Sequence, residues 1–246
     1  MWFAGDVSAR PGSVTRVSRF SSSSRIVRRF RISKHPEVWG TWSTLSLMIE
    51  DFGGRVATVW SELRPTTRGL VERALQASSA SSSQVRKVPY DPRADLELSR
   101  LLTALDDRAL DPGASLDSEK GDQLKHVADT CAAVLQEKSQ SAEVFAQLVR
   151  RAEQQRDYRR IDVLADALTS RFAPSEICEL ARSEDVVVRA LANEALAQFP
   201  TSVLVGLLSD PVDSEIARDA LRRQAMEYGS EEARQIVNAL DQVDEL

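Results

Sequence analysis

With 246 residues, 42% of them hydrophobic and only 6% aromatic, the chain has ample material for a core, drawn mostly from Leu and Ala. That balance suits closely packed helices and fits a β-sandwich badly. A formal net charge of −5 argues against non-specific nucleic-acid binding, which needs clustered Lys and Arg.

The charge is unevenly placed. Residues 1–47 carry eight basic groups against Asp6 and Glu37, a net of +6 that leaves −11 on the remainder. Residues 1–34 mix Ser and Arg with scattered hydrophobes and few acids. A disordered basic tail is expected. An organellar targeting segment, and a true start at Met48 that would make residues 1–47 an over-extension, stay open beside it. The tail has no uninterrupted apolar core of the kind a secretory signal needs.

The apolar run VWGTWSTLSLMI at 38–49 falls short of the roughly 20 residues a membrane-spanning helix requires. Trp39, Trp42 and Trp60 beside the Arg-rich flank are candidate anchors for a membrane surface or a partner. The competing and preferred reading is an amphipathic helix that docks its aromatics on the body or a partner. Gly53-Gly54 should break this segment. Asp51-Phe52-Gly53 matches the magnesium-binding triplet of protein kinases, but the catalytic-loop and strand-lysine patterns that go with it are absent.

After Pro65 the chain reads as one more helix, to Ala77, with Leu70, Ala74, Leu75 and Ala77 as its stripe. A Ser-rich linker follows, so the expected organisation is a basic extension (1–47), an amphipathic helical segment (48–77), a linker (78–87) and a helical domain (88–246). Ala94 to Leu110 is amphipathic through Leu98, Leu101, Leu102 and Leu105. Asp122 to Gln136 repeats the theme through Leu124, Val127, Cys131, Val134 and Leu135. Ala142 to Arg156 and Tyr158 to Phe172 form a pair joined by a very short turn. Their polar faces hold Arg150, Arg151, Arg156, Arg159 and Arg160 interleaved with acids, which reads as a solvated face laced with ion pairs four residues apart.

From Pro174 the pattern sharpens. A short helix through Ile177, Leu180 and Ala181 precedes Asp185, the natural first residue of a second helix. Val188, Leu191, Ala192, Ala195, Leu196 and Phe199 share one face of that helix, and Pro200 ends it. Val203, Leu204, Leu207 and Leu208 then stripe a short helix, and Ile216, Ala220, Leu221 and Ala225 a longer one. Arg189 and Arg218 hold matching places 29 residues apart, a period typical of stacked helical repeats.

The run Asp185-x-x-Val188-Arg189-x-x-Ala192-x-x-Ala195-Leu196 resembles the inner-helix pattern of HEAT-type repeats. The second unit departs from it, with Gln224 where the first has Ala195 and Ala225 where it has Leu196. The resemblance covers roughly a quarter of the chain. It implies an all-α solenoid of stacked antiparallel hairpins, in which Asp185, Arg189 and Arg218 help to join neighbouring units and small residues allow close helix approach. On this reading Arg189 should reach an acid or a helix-end carbonyl of the adjacent hairpin, and Leu191 and Leu196 should be buried.

Chemistry is sparse. The chain contains no phosphate-cradling glycine loop, zinc-binding His-Glu-x-x-His helix, nucleophile elbow or cysteine-pair metal motif. No cofactor, metal or catalytic residue is expected. His126 reads as a helix-surface or boundary histidine. Cys131 and Cys178 read as buried free thiols, which favours a reducing, cytoplasmic compartment. The leading expectation is a non-catalytic scaffold for a protein partner, with peripheral membrane contact through the N-terminal segment as a further possibility. The alternative is an enzyme or nucleic-acid protein on the same architecture, as HEAT-like DNA glycosylases are; it requires a basic groove with a catalytic acid inside it.

Overall fold

Capping side chains set where several of the helices begin. The computed structural model describes residues 48–78, 90–111 and 116–244, and among these every regular element is a helix. A helical end at residues 48–50 turns at Gly53, whose φ of 126° is a conformation only glycine adopts without strain. Helices α1 (Gly54–Glu62) and α2 (Pro65–Ser78) follow. The expected break at Gly53-Gly54 is present, and Pro65 opens α2 at a position where its missing N–H is no loss.

The next helix, α3 (Ala94–Leu110), has the expected bounds. Helix α4 (Ser118–Lys138) starts one turn before its apolar stripe, because the Asp117 carboxylate accepts the Lys120 N–H at 2.8 Å. Helices α5 (Ala142–Gln154) and α6 (Tyr158–Arg171) are capped by Ser141 and Asp157. Pro174 opens α7 (Pro174–Ala181), and Glu176 reaches back to accept the Ala173 N–H at 2.8 Å. Asp185 starts α8 (Val186–Ala197) by accepting from Val187 N at 2.9 Å and Val188 N at 3.1 Å. The chain closes with α9 (Thr201–Leu207), α10 (Ser214–Glu227) and α11 (Glu231–Asp244).

Sequential helices pack as neighbours: α3 on α4, α5 on α6, α7 on α8, α9 on α10 and α10 on α11. Successive pairs touch through α3 and α4 on α5, through α5 and α6 on α8, and through α7 and α8 on α10. Helices α1 and α2 lie against α3 and α4. One apolar cluster runs from Ile49 to Ala233 and takes members from every helix, so α1 and α2 share a core with the helices beyond the expected linker. All described residues fall within one compact unit.

Two expectations are corrected by this packing. Trp60 is 1% exposed and lies inside the core, in line with the preferred docking on the body, so it is not a free anchor for a membrane or a partner. Leu196 is fully buried as expected, whereas Leu191 is only half-buried at the edge of the stripe. Phe52 of the kinase-like triplet is a fully buried core residue beside the Gly53 turn, which is the structural use of that tripeptide. Residues 1–47, with Trp39 and Trp42, lie outside the described residues. Among the described residues no helix is long and apolar enough to cross a membrane.

Candidate functional site

Arg151 stands three residues after Leu148 on α5, and so shares the apolar face of that helix. That placement carries a charge into the junction of α3, α4 and α5, where it is 5% exposed. Its Nε–H lies between the two Asp106 oxygens at 3.0 and 2.9 Å, and a terminal nitrogen donates to Asp129 at 2.8 Å. The other terminal nitrogen reaches Gln155 Oε1 at 3.4 Å. A buried guanidinium this well paired ties three helices together. The expectation that Arg151 belongs to a solvated face is therefore wrong: its partners are 45 and 22 residues away on other helices.

Burial pushes the Asp106 carboxyl above its ordinary value, and the adjacent Arg151 charge opposes that rise. Burial also moves the neighbouring Cys131 thiol up to about 12, so this cysteine is a packed apolar group and not a nucleophile. Cys178 is likewise buried, its thiol raised to about 11.

Around this ion triad opens a cleft of about 1030 Å³. Its charged lining is Arg108, Lys125, Arg151, Arg156 and Arg160 against Asp106, Asp129 and Asp157, a net of +2 within a chain of −5. All three carboxylates are engaged. Arg151 holds Asp106 and Asp129, and Asp157 caps α6 by accepting the Arg160 N–H at 3.1 Å. Arg108 donates from Nε to the Phe52 carbonyl at 2.6 Å and pairs with Asp111 at 3.3 Å. Arg160 uses Nε on Gln136 at 3.0 Å. Its guanidinium pKa is lowered, first by burial and then by the neighbouring Arg151 charge.

Arg156 closes the turn between α5 and α6 with φ of 55°, the left-handed conformation usually given to glycine or asparagine at a helix end. The turn is pinned by the Arg156 N–H on Glu153 O at 2.9 Å and the Asp157 N–H on Ala152 O at 2.8 Å. Side-chain ion pairs involve neither Arg156 nor Lys125 among the described residues.

The sequence-predicted joining residues lie elsewhere. Asp185 caps α8, and its second oxygen faces Arg150 Nε at 3.9 Å, a link to the preceding hairpin. Arg189 does not reach a neighbouring hairpin. It folds back over the first turn of its own helix and donates to Ser183 O at 2.7 Å and Glu184 O at 3.3 Å, where the turn leaves carbonyls without helical partners. Arg218 is half-buried on α10. Asp185 and Arg189 meet at the α7–α8 turn, and Arg218 stands on α10.

Other contacts carry the junction between the last hairpins, the Arg223–Glu194 ion pair at 3.1 Å among them. Arg182 at the end of α7 pairs with Asp213 at 2.8 Å and donates to the Val212 carbonyl at 3.2 Å. Gln224 donates its amide to Ala197 O at 3.0 Å and Phe199 O at 2.6 Å, which satisfies the orphan carbonyls at the end of α8. The only sequence signal for Gln224 was its departure from the repeat pattern.

His126 is exposed on α4, and among the described residues no three His, Cys, Asp or Glu side chains gather to hold a metal ion. No protein-family model, curated protein or solved structure matches the chain. The chemistry of this region therefore rests on its geometry alone: a positively charged cleft, with apolar patches, whose own acids are already paired.

Proposed function

We propose that this protein is a non-catalytic interaction scaffold, built as a short HEAT-like stack of helical hairpins that offers the α3–α6 cleft to a protein partner. The stack is supported by the neighbour-to-neighbour helix packing and by the inter-hairpin ties Arg150–Asp185 and Arg182–Asp213. The observation that carries the functional reading is the engagement of every carboxylate in the cleft. A general acid or base must be free to exchange a proton with substrate, and Asp106, Asp129 and Asp157 are each committed to a guanidinium or a helix cap. That disfavours the enzymatic alternative, even though the cleft is basic. Free, buried Cys131 and Cys178 suit a reducing compartment such as the cytoplasm.

Affinity capture tests the reading, using the full chain beside a variant carrying Lys125→Glu and Arg156→Glu. A protein partner recovered by the wild type and lost by the variant, with unchanged thermal melting of both, is the expected result. Recovery of no partner by either chain would refute the scaffold role.

A further inference from the structure

We infer that the cleft binds a short acidic segment of a protein partner in which carboxylates alternate with apolar side chains, a ligand class that rests on the scaffold reading. Four observations converge on it. First, with its carboxylates consumed internally, the cleft presents the charge of Lys125, Arg156 and the unengaged nitrogens of Arg160 to whatever enters it. Lys125 and Arg156 make no ion pair among the described residues, so an incoming carboxylate displaces no existing partner.

Second, Arg156 sits where glycine would be less strained. A non-glycine residue in the left-handed region brings its Cβ too close to the following carbonyl oxygen and is strained. A turn that needs only its backbone would do better with glycine; an arginine there supplies a guanidinium at the mouth of the cleft. Crowding points the same way, since Arg160 stands close enough to Arg151 for the two charges to repel, and an entering anion would offset that repulsion.

Third, the same lining holds apolar surface among the cations, from Ala109, which is exposed, and Leu116, which is half-buried, while Leu124 and Ala128 are core residues. A bare phosphate would leave that apolar surface unused, whereas the alternate side chains of an acidic peptide would cover it. Fourth, the net charge of −11 on residues 48–246 repels a long polyanion such as a nucleic acid more than a short segment that stays within the cleft.

Fluorescence anisotropy with the full chain provides the test. The probe is a labelled peptide alternating glutamate and leucine, competed by an unlabelled lysine–leucine peptide, a single-stranded oligonucleotide and inorganic phosphate. The acidic peptide should bind and weaken as salt shortens the Debye length from about 8 Å toward about 3 Å. Lys125→Glu should lower its affinity about tenfold. Arg156→Gly should weaken binding while raising Tm by about 2–4 °C, because it removes cation and strain together; a loss of binding through misfolding would lower Tm instead.

Equal binding by wild type and both variants, no binding of the acidic peptide, or stronger competition by the oligonucleotide or phosphate would each overturn the inference. If the peptide fails while partner capture still depends on Lys125 and Arg156, the ligand class is wrong and the scaffold stands. If neither the peptide nor any partner binds, both fail.

Discussion

The side-chain amide of Gln224 on α10 donates to the Phe199 carbonyl at 2.6 Å, so the residue at which the resemblance to the repeat pattern fails helps to join the last helix pairs. Restoring the pattern should therefore weaken the protein. Gln224→Ala leaves the carbonyls of Ala197 and Phe199 buried and unsatisfied, at a cost of about 1–3 kcal/mol. Denaturant melts check this. A loss smaller than about half a kcal/mol would mean that water replaces the amide.

Arg151→Met should be the most damaging single change in the cleft. It strands the half-buried Asp106 carboxylate, and breaking such a pair costs up to about 3–5 kcal/mol. Arg151→Met combined with Asp106→Leu should recover most of that loss, since the uncompensated charge goes with its partner. The pH dependence has a definite sign. Burial already raises the Asp106 carboxyl, and loss of the opposing arginine raises it further. A carboxyl raised in the folded state contributes stability that is fully present below its unfolded pKa and is lost as pH rises through the folded pKa. The deficit of Arg151→Met should therefore shrink as pH falls from neutrality toward about 3.9. A deficit that is constant or grows on acidification would show that Asp106 is not the stranded group.

Leu196 is fully buried on α8, whereas Leu191 sits at the edge of the same face. Leu196→Ala should cost about 2–5 kcal/mol. Leu191→Ala should cost clearly less, because part of its surface is already in water. Equal losses in denaturant melts would contradict this difference in burial.

Gly53 holds φ of 126°, and a Cβ there would stand 3.3 Å from Arg108 Nε, which is itself bonded to Phe52 O. Gly53→Ala should destabilise by about 1–3 kcal/mol through the backbone alone. Gly54→Ala should not, since a Cβ at Gly54 meets nothing within 4 Å. Melting the two variants side by side isolates the conformational effect, and equal stability of both would remove it.

Cys131 and Cys178 should resist alkylation in the folded protein. Their thiols are raised to about 12 and about 11, so almost no thiolate forms near neutral pH, and neither sulfur is exposed. Mass spectrometry after iodoacetamide treatment should find both unmodified until denaturant is added. Native labelling of either would show that its helix opens locally.

How much of this was legible in the sequence follows from the range of each interaction. Asp185 at the head of α8 and Pro174 at the start of α7 act within one helical turn, so local residue order was enough to find them, whereas α8 stops at Ala197, short of the end expected at Pro200. The Ala94–Leu110 helix was readable because its whole leucine stripe lies in one segment. The cleft was not readable in this way. Arg151 and Asp106 are separated by 45 residues, and Arg108 and the Phe52 carbonyl by 56. Helical spacing says which face is buried but not which helix covers it, and a charged residue inside an apolar stripe reads as a break in the pattern. Arg189 shows the same limit from the other side: its position along the helix was visible, but only the path of the α7–α8 turn decided that its nearest open carbonyls belong to its own hairpin. Helix existence and helix ends were thus properties of neighbouring residues, and the pairing of buried charges belongs to the tertiary structure, because it depends on which surfaces meet once water is excluded.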